Sequence, residues 1–317
     1  MKIGNYSSDN IETSLSTELW FDKYNFDQDG LKETKAKQLE IEAKRRNSYL
    51  SYNIDGKTYR RYDFSIIPDC GFLSSSDPLA KNVELKLSFD REEAKMSVLD
   101  YSSPDSEDHA VLKTPWVIKD CHSVTEYISS PDLRDHFETI DHSPLIYNYD
   151  ECEVILRSLD QGETSIRLEA IHGGNMPSHL FAGILPSEAV QGSLEKSSTR
   201  FAQHNVKEFN INLNGHSVNG YPIKTEVGVG TYPLVKWIES TNRLHNNLAG
   251  STLSQITFHD NFIWSHHFET EESSTGWISI DLKLKEAYDS NMTMVIWLVS
   301  PFSLSLDKFN QIEKLRI

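Results

Sequence analysis

The chain has 317 residues and a formal net charge of −16, from 31 basic and 47 acidic residues. With 38% hydrophobic and 25% charged residues it has the composition of a folded protein large enough to bury a substantial core, and not that of a disordered one. Nucleic-acid binding needs clustered Lys and Arg, which a surface this acidic does not offer, so direct sequence-specific contact with DNA or RNA is not expected.

The opening stretch, MKIGNYSSDNIETS, has no apolar core, and no signal peptide is expected. LKETKAKQLEIEAKRR (31–46) is built of strong helix formers with a thin apolar stripe and predicts a surface helix; its basic end, 44–46, reads as solvated. KNVELKLSFD (81–90) places Val83, Leu85, Leu87 and Phe89 on one side of a strand. KMSVLDY (95–101) and AVLKTPWVIK (110–119) read as strands too. SVTEYI (123–128) has Ser123 and Glu126 at capping-box spacing, and SPDLRDHFETI (130–140) sets Leu133 and Phe137 one helical turn apart. The Pro144 region, 141–150, reads as a boundary.

Beyond it, CEVILRSLD (152–160) and TSIRLEAI (164–171) predict strands, with Cys152 as a small buried hydrophobe. The Gly173-Gly174 stretch contains no phosphate-cradling motif. In HNVKEFNINLNGHSVNGYPIK (204–224), Phe209, Ile211 and Leu213 alternate with Asn210 and Asn212. Asn214-Gly215 then turns the chain, which predicts a hairpin. TYPLVKWIESTNRLH (231–245) carries Leu234, Trp237, Ile238 and Leu244 as a helical stripe, as a helix covering a sheet edge would. GWISIDLKLKEA (276–287) alternates throughout. MTMVIWLVS (292–300) is almost wholly apolar, which predicts a strand buried on both faces and is too short to span a membrane. Many short strands broken by turn residues point to β-sandwiches rather than to a parallel sheet wrapped by helices.

Chemistry is sparse. Cys70, Cys121 and Cys152 are odd in number and lack a CxxC spacing, which fits a reducing compartment. Cys121 and His122 are adjacent and cannot readily form an activated thiolate pair. FHDNFIWSHHFETEE (258–272) holds His259, Asp260, His266, His267, Glu269 and Glu271, all metal-ligand types. On a strand His266 and His267 point oppositely while His267 and Glu269 share a side, so His259, His267 and Glu269 form the metal alternative. The simpler reading is a strand-end or interface cluster. Trp237, Trp264, Trp277 and Trp297 suit core and interface, or else a sugar-binding platform. No catalytic, cofactor-binding or metal-ligating residue is assigned.

The second half resembles the double-jelly-roll major capsid-like proteins of Polinton (Maverick) elements and their adintovirus relatives. The resemblance is carried by Gly183 and Leu185, Ala189 and Gly192, Asn205, Asn214-Gly215 and Pro222, in that order. After them come the helix from Tyr232, then NFIWSHHFE, GWISIDLKL and MVIWLVS, with weaker similarity at FDREEAKMSVL and ELWFDK. The resemblance implies an all-β chain of two jelly-roll sandwiches side by side, joined by a few short helices. The first, over 1–145, is expected to be shortened at its N-terminus; the second covers 146–317. It further implies a structural, non-enzymatic virion protein forming trimeric, six-lobed capsomers. Its partners would be its own copies and a minor or penton capsid protein, and it would be made in the host cytoplasm and assembled there or in the nucleus. A carbohydrate- or protein-binding sandwich, or a domesticated capsid relative that no longer assembles, is the alternative.

Overall fold

The structure is a computed structural model that describes residues 49–62, 86, 88, 144–193, 196, 198, 201, 203–225, 231–240, 262–268, 275–307 and 311–316. The chain divides into two compact units, Met1–Asp69 with Asn246–Ser254, and Cys70–His245 with Gln255–Ile317. The helices read at 31–46, 123–128 and 130–140, and the strands read at 81–90, 95–101 and 110–119, lie almost wholly outside the described residues. So does most of the first expected sandwich.

In the first unit, β1 (Tyr49–Ile54) and β2 (Lys57–Tyr62) form an antiparallel hairpin. Asp55 and Gly56 turn it with φ of 51° and 77°, both left-handed, as a two-residue turn matched to strand twist requires. An Asp-Gly pair flanked by YLSYNI and KTYRRY was a readable hairpin signal.

In the second unit the strands alternate between two antiparallel sheets. In chain order they are β3 (Leu145–Leu159), β4 (Ser165–Asn175), β5 (His179–Pro186), β6 (Val206–Leu213), β7 (His216–Ser217), β8 (Ile223–Lys224), β9 (Trp264–His267), β10 (Thr275–Leu284), β11 (Met292–Leu306) and β12 (Ile312–Arg316). Among the described residues two helices, α1 (Ser187–Val190) and α2 (Thr231–Ser240), lie between them. The first sheet runs β4-β10-β6-β7, with β8 also on β6; the second runs β3-β11-β5-β9, with β12 beside the far end of β11. Counting from β3, that order interleaves the strands as a jelly roll does. The described residues are thus all-β in class, with one jelly roll closed between Leu145 and Leu306.

Alternation decides which face is core. On the first sheet Ile166, Leu168, Phe209, Ile211, Ile278, Ile280 and Leu282 are buried. Facing them from the second sheet are Leu180, Ala182, Ile184, Met294, Ile296, Leu298 and Trp264. Phe209 and Trp264 stack across the gap, ring centroids 4.7 Å apart and planes 13° from parallel. Each large side chain buried here contributes roughly 1.5–3 kcal/mol. MTMVIWLVS is the middle of the second sheet, and its first five residues are buried whichever face they take, as expected. Helix α2 lies against β9, the edge strand, and buries Trp237. The Asn214-Gly215 turn forms with φ of 52° and 82°, and the Val218 N–H donates back to the Ile211 carbonyl at 3.0 Å.

Three expectations are corrected. Residues 145–150, read as polar turn within the boundary region with the strand resuming at Cys152, are already the start of β3, because β11 pairs with β3 along all fifteen residues from Leu159 to Leu145. Cys152 is exposed rather than buried, because it falls on the outward side of that strand. Strand β11 also runs past Pro301, where a break is the natural reading. Pro301 faces Asp150 on β3. On its other side it falls in the gap between the last β5 rung (Val299–His179) and the first β12 rung (Phe302–Arg316), so its missing N–H leaves no ladder bond unmade.

Candidate interaction surface

The two outward faces of the jelly roll differ in chemistry. On the first sheet, Ser217 Oγ donates to Asn210 Oδ1 (2.6 Å), Asn210 Nδ2 to Asn212 Oδ1 (2.8 Å), and Asn212 Nδ2 to Asp281 Oδ2 (2.7 Å). Arg167 lies between Glu169 (3.1 Å) and Asp281 (3.6 Å), and Lys283 meets Glu208 at 2.8 Å. This face satisfies itself through cross-strand polar pairs. At its end Trp277, 41% exposed, lies across Gly215 of the hairpin turn.

The outward face of the second sheet carries an apolar patch. Register places Cys152, Val154 and Leu156 of β3 beside Val299, Trp297 and Val295 of β11, which in turn lie beside His179, Phe181 and Gly183 of β5. Phe201 covers part of it, packing with Leu185 and Val295 and meeting Trp297 edge-on at 5.2 Å. That approach needs Gly183: a Cβ there would lie 2.4 Å from the Phe201 ring. Val154 and Leu156 remain 55% and 50% exposed on the edge strand.

Three histidines gather where β5 meets β9. His266 points inward, stacks edge-on against Phe268 at 4.7 Å, and is pushed down to about 4 by burial first, then by the charge of Lys236 and by His267. His267 points outward, and its Nδ1 lies 3.0 Å from His179 Nε2. His179 is held below its ordinary value by burial first and then by His267, with Asp150 acting the other way.

His267 therefore meets a residue 88 positions away in the chain. His259, Asp260, Glu269, Glu271, Cys70, Cys121 and His122 lie outside the described residues. Among the described residues, no group of three or more His, Cys, Asp and Glu converges as a metal cluster would. Of the four tryptophans, Trp237 and Trp264 are buried, Trp297 is half-buried under Phe201, and Trp277 alone offers an open ring face. Sequence reasoning missed His179, whose role depends on a register between distant strands. The outward turn of Val154 and Leu156 could have been found from the alternation once β3 was extended to Leu145. No helix among the described residues is long and apolar enough to cross a membrane.

No protein-family model matches the chain, and no curated protein does. Among solved structures, one similar chain comes from the 3.5 Å cryo-EM structure of the Sputnik virophage, at 12% identity and a TM-score of 0.36, covering 55% of this chain and 39% of that one. The mavirus major capsid protein is similar at 7% identity and a TM-score of 0.35, over 59% of this chain and 43% of that one. The VP54 protein of PBCV-1, fitted into a Sputnik reconstruction, is similar at 9% identity and a TM-score of 0.34, over 58% and 54%. The chain spans about two-fifths to half of the length of these proteins.

Proposed function

We propose that this chain is a non-catalytic, capsid-type building block of the Polinton and adintovirus kind, whose work is to associate with copies of itself. The observation that carries the reading is the outward face of the second sheet. A jelly roll whose edge strand keeps Val154 and Leu156 half-exposed beside Trp297 has a face suited to a further protein surface, while its opposite face is finished with polar pairs. Three copies, each with two sandwiches over 1–145 and 146–317, give a six-lobed trimer. Subunit contacts of that kind commonly bury about 2,000 Å² or more. The further partners are neighbouring capsomers and a vertex-sealing capsid protein. The setting is the virion, with synthesis in the host cytoplasm and assembly there or in the nucleus. An acidic wall encloses DNA without gripping it.

The test is light scattering and negative-stain microscopy of the purified chain. Trimers or particles are expected, and Val154→Lys with Leu156→Lys should abolish them while shifting monomer stability by only about 0.5 kcal/mol per site. A wild-type chain that stays monomeric at high concentration sinks the reading. The open ring of Trp277 favours one second reading, a sugar-binding sandwich face. A glycan-array signal lost in Trp277→Ala would support that reading instead.

A further inference from the structure

The His179–His267 contact has a fixed proton arrangement. Ser178 Oγ donates its only proton to the Val299 carbonyl at 3.0 Å. The same oxygen lies 3.0 Å from His179 Nδ1, so it accepts there, and Nδ1 carries the hydrogen. His179 Nε2 is then the acceptor, and His267 Nδ1–H donates to it at 3.0 Å, so a metal ion bound here would take the place of that shared proton. Metal-ligating imidazoles are oriented in this way, with one ring nitrogen donating to a supporting oxygen and the other free to coordinate. His267 is exposed, so an ion can reach the pair from solvent.

We propose that His179 Nε2 and His267 Nδ1 chelate a divalent transition-metal ion on the outward face of the second sheet, tying edge strand β9 to β5. The spacing selects the ion class. Two metal–nitrogen bonds of about 2.0–2.1 Å meeting at a right angle place the nitrogens about 2.9 Å apart, whereas a tetrahedral angle places them about 3.4 Å apart. The observed 3.0 Å suits the tetragonal geometry of Cu(II) or Ni(II) better than tetrahedral zinc. The remaining positions go to water. Cys152 shares the cross-strand row with Val299, His179 and His267 but stands two strands, about 9–10 Å, from His179, too far to join the same ion.

The experiment titrates the full, chelator-treated chain with Cu²⁺ or Ni²⁺ chloride in a non-coordinating buffer. It is followed by calorimetry, by thermal unfolding and, for Cu²⁺, by electron paramagnetic resonance. One ion should bind with two imidazole nitrogens in its equatorial plane, and it should raise the unfolding midpoint, because it binds the folded edge and not the open chain. His179→Ala and His267→Gln should each weaken binding at least ~tenfold, and Ser178→Ala by about 10–100-fold through loss of tautomer control. His172→Ala and His216→Ala should leave it unchanged. Equal affinity in the His179→Ala/His267→Gln double variant, or failure of the wild-type chain to bind either ion, overturns the proposal. Since His267 is exposed, His267→Gln keeps the fold and decides the matter even if His179→Ala does not.

Discussion

The two sheets share one interior yet present opposite exteriors. Outside the first sheet, Ser217, Asn210, Asn212 and Asp281 hand hydrogen bonds from strand to strand until little is left for a partner. Outside the second, the rung of Val154, Trp297 and Phe181 has a single polar group, the Trp297 indole N–H, and among the described residues Phe201 covers it in part. A sandwich needs only its inner faces to fold, so an apolar outer face does not contribute to that interior. It fits contact with something beyond the jelly roll.

The largest effect should come from breaking the interior that both faces depend on. Trp264→Ala removes the ring stacked on Phe209 and should cost about 3–5 kcal/mol, read by chemical denaturation. Both exteriors should be lost together, and loss of the second alone would mean the sheets are less coupled than the stack implies.

Next comes acid. His266 titrates near 4 in the folded chain, below the ordinary 6.5, so the unfolded chain binds more protons between those values. The stability it contributes is full above about pH 6.5 and drains away as pH falls towards 4, on the order of 3 kcal/mol in all. Hydrogen exchange should therefore open β9 and β5 before β4 and β10. His266→Gln should flatten the slope, and equal opening of both sheets would blur the comparison.

The smallest effect concerns the cover. Gly183→Ala forces Phe201 to move aside and should cost about 1–3 kcal/mol, measured by thermal unfolding, with the apolar rung more exposed to a hydrophobic dye. An unchanged midpoint would show that Phe201 does not need this close approach.

Much of the jelly roll was legible because its strands are of two clear kinds. MTMVIWLVS is apolar without alternation since its inner face is core and its outer face is the apolar patch that Phe201 partly covers, and GWISIDLKL alternates since one face is wet. Asn214-Gly215 and the helix from Thr231 announced themselves by local chemistry alone. What escaped was set by partners distant in sequence. Residues 145–150 become strand only because residues 301–306 lie beside them, and Pro301 is tolerated only because two shorter strands abut there. The partner of His267 escaped for the same reason. His267 takes its neighbour from register with β5, which no spacing within that stretch reveals.

The opening residue of β3, Leu145, and the closing residue of β11, Leu306, are direct partners on one rung. The chain thus enters the jelly roll on the rung where β11 ends, before β12 doubles back along β11. Tension on the segment before β3 would fall first on that rung and peel the two longest strands apart one pair at a time, a far weaker resistance than sliding them past each other, whereas tension from the other side would fall first on the β12 rungs that follow β11. A wall made from such modules keeps its strength only while load arrives sideways, through neighbours, and not along its own thread.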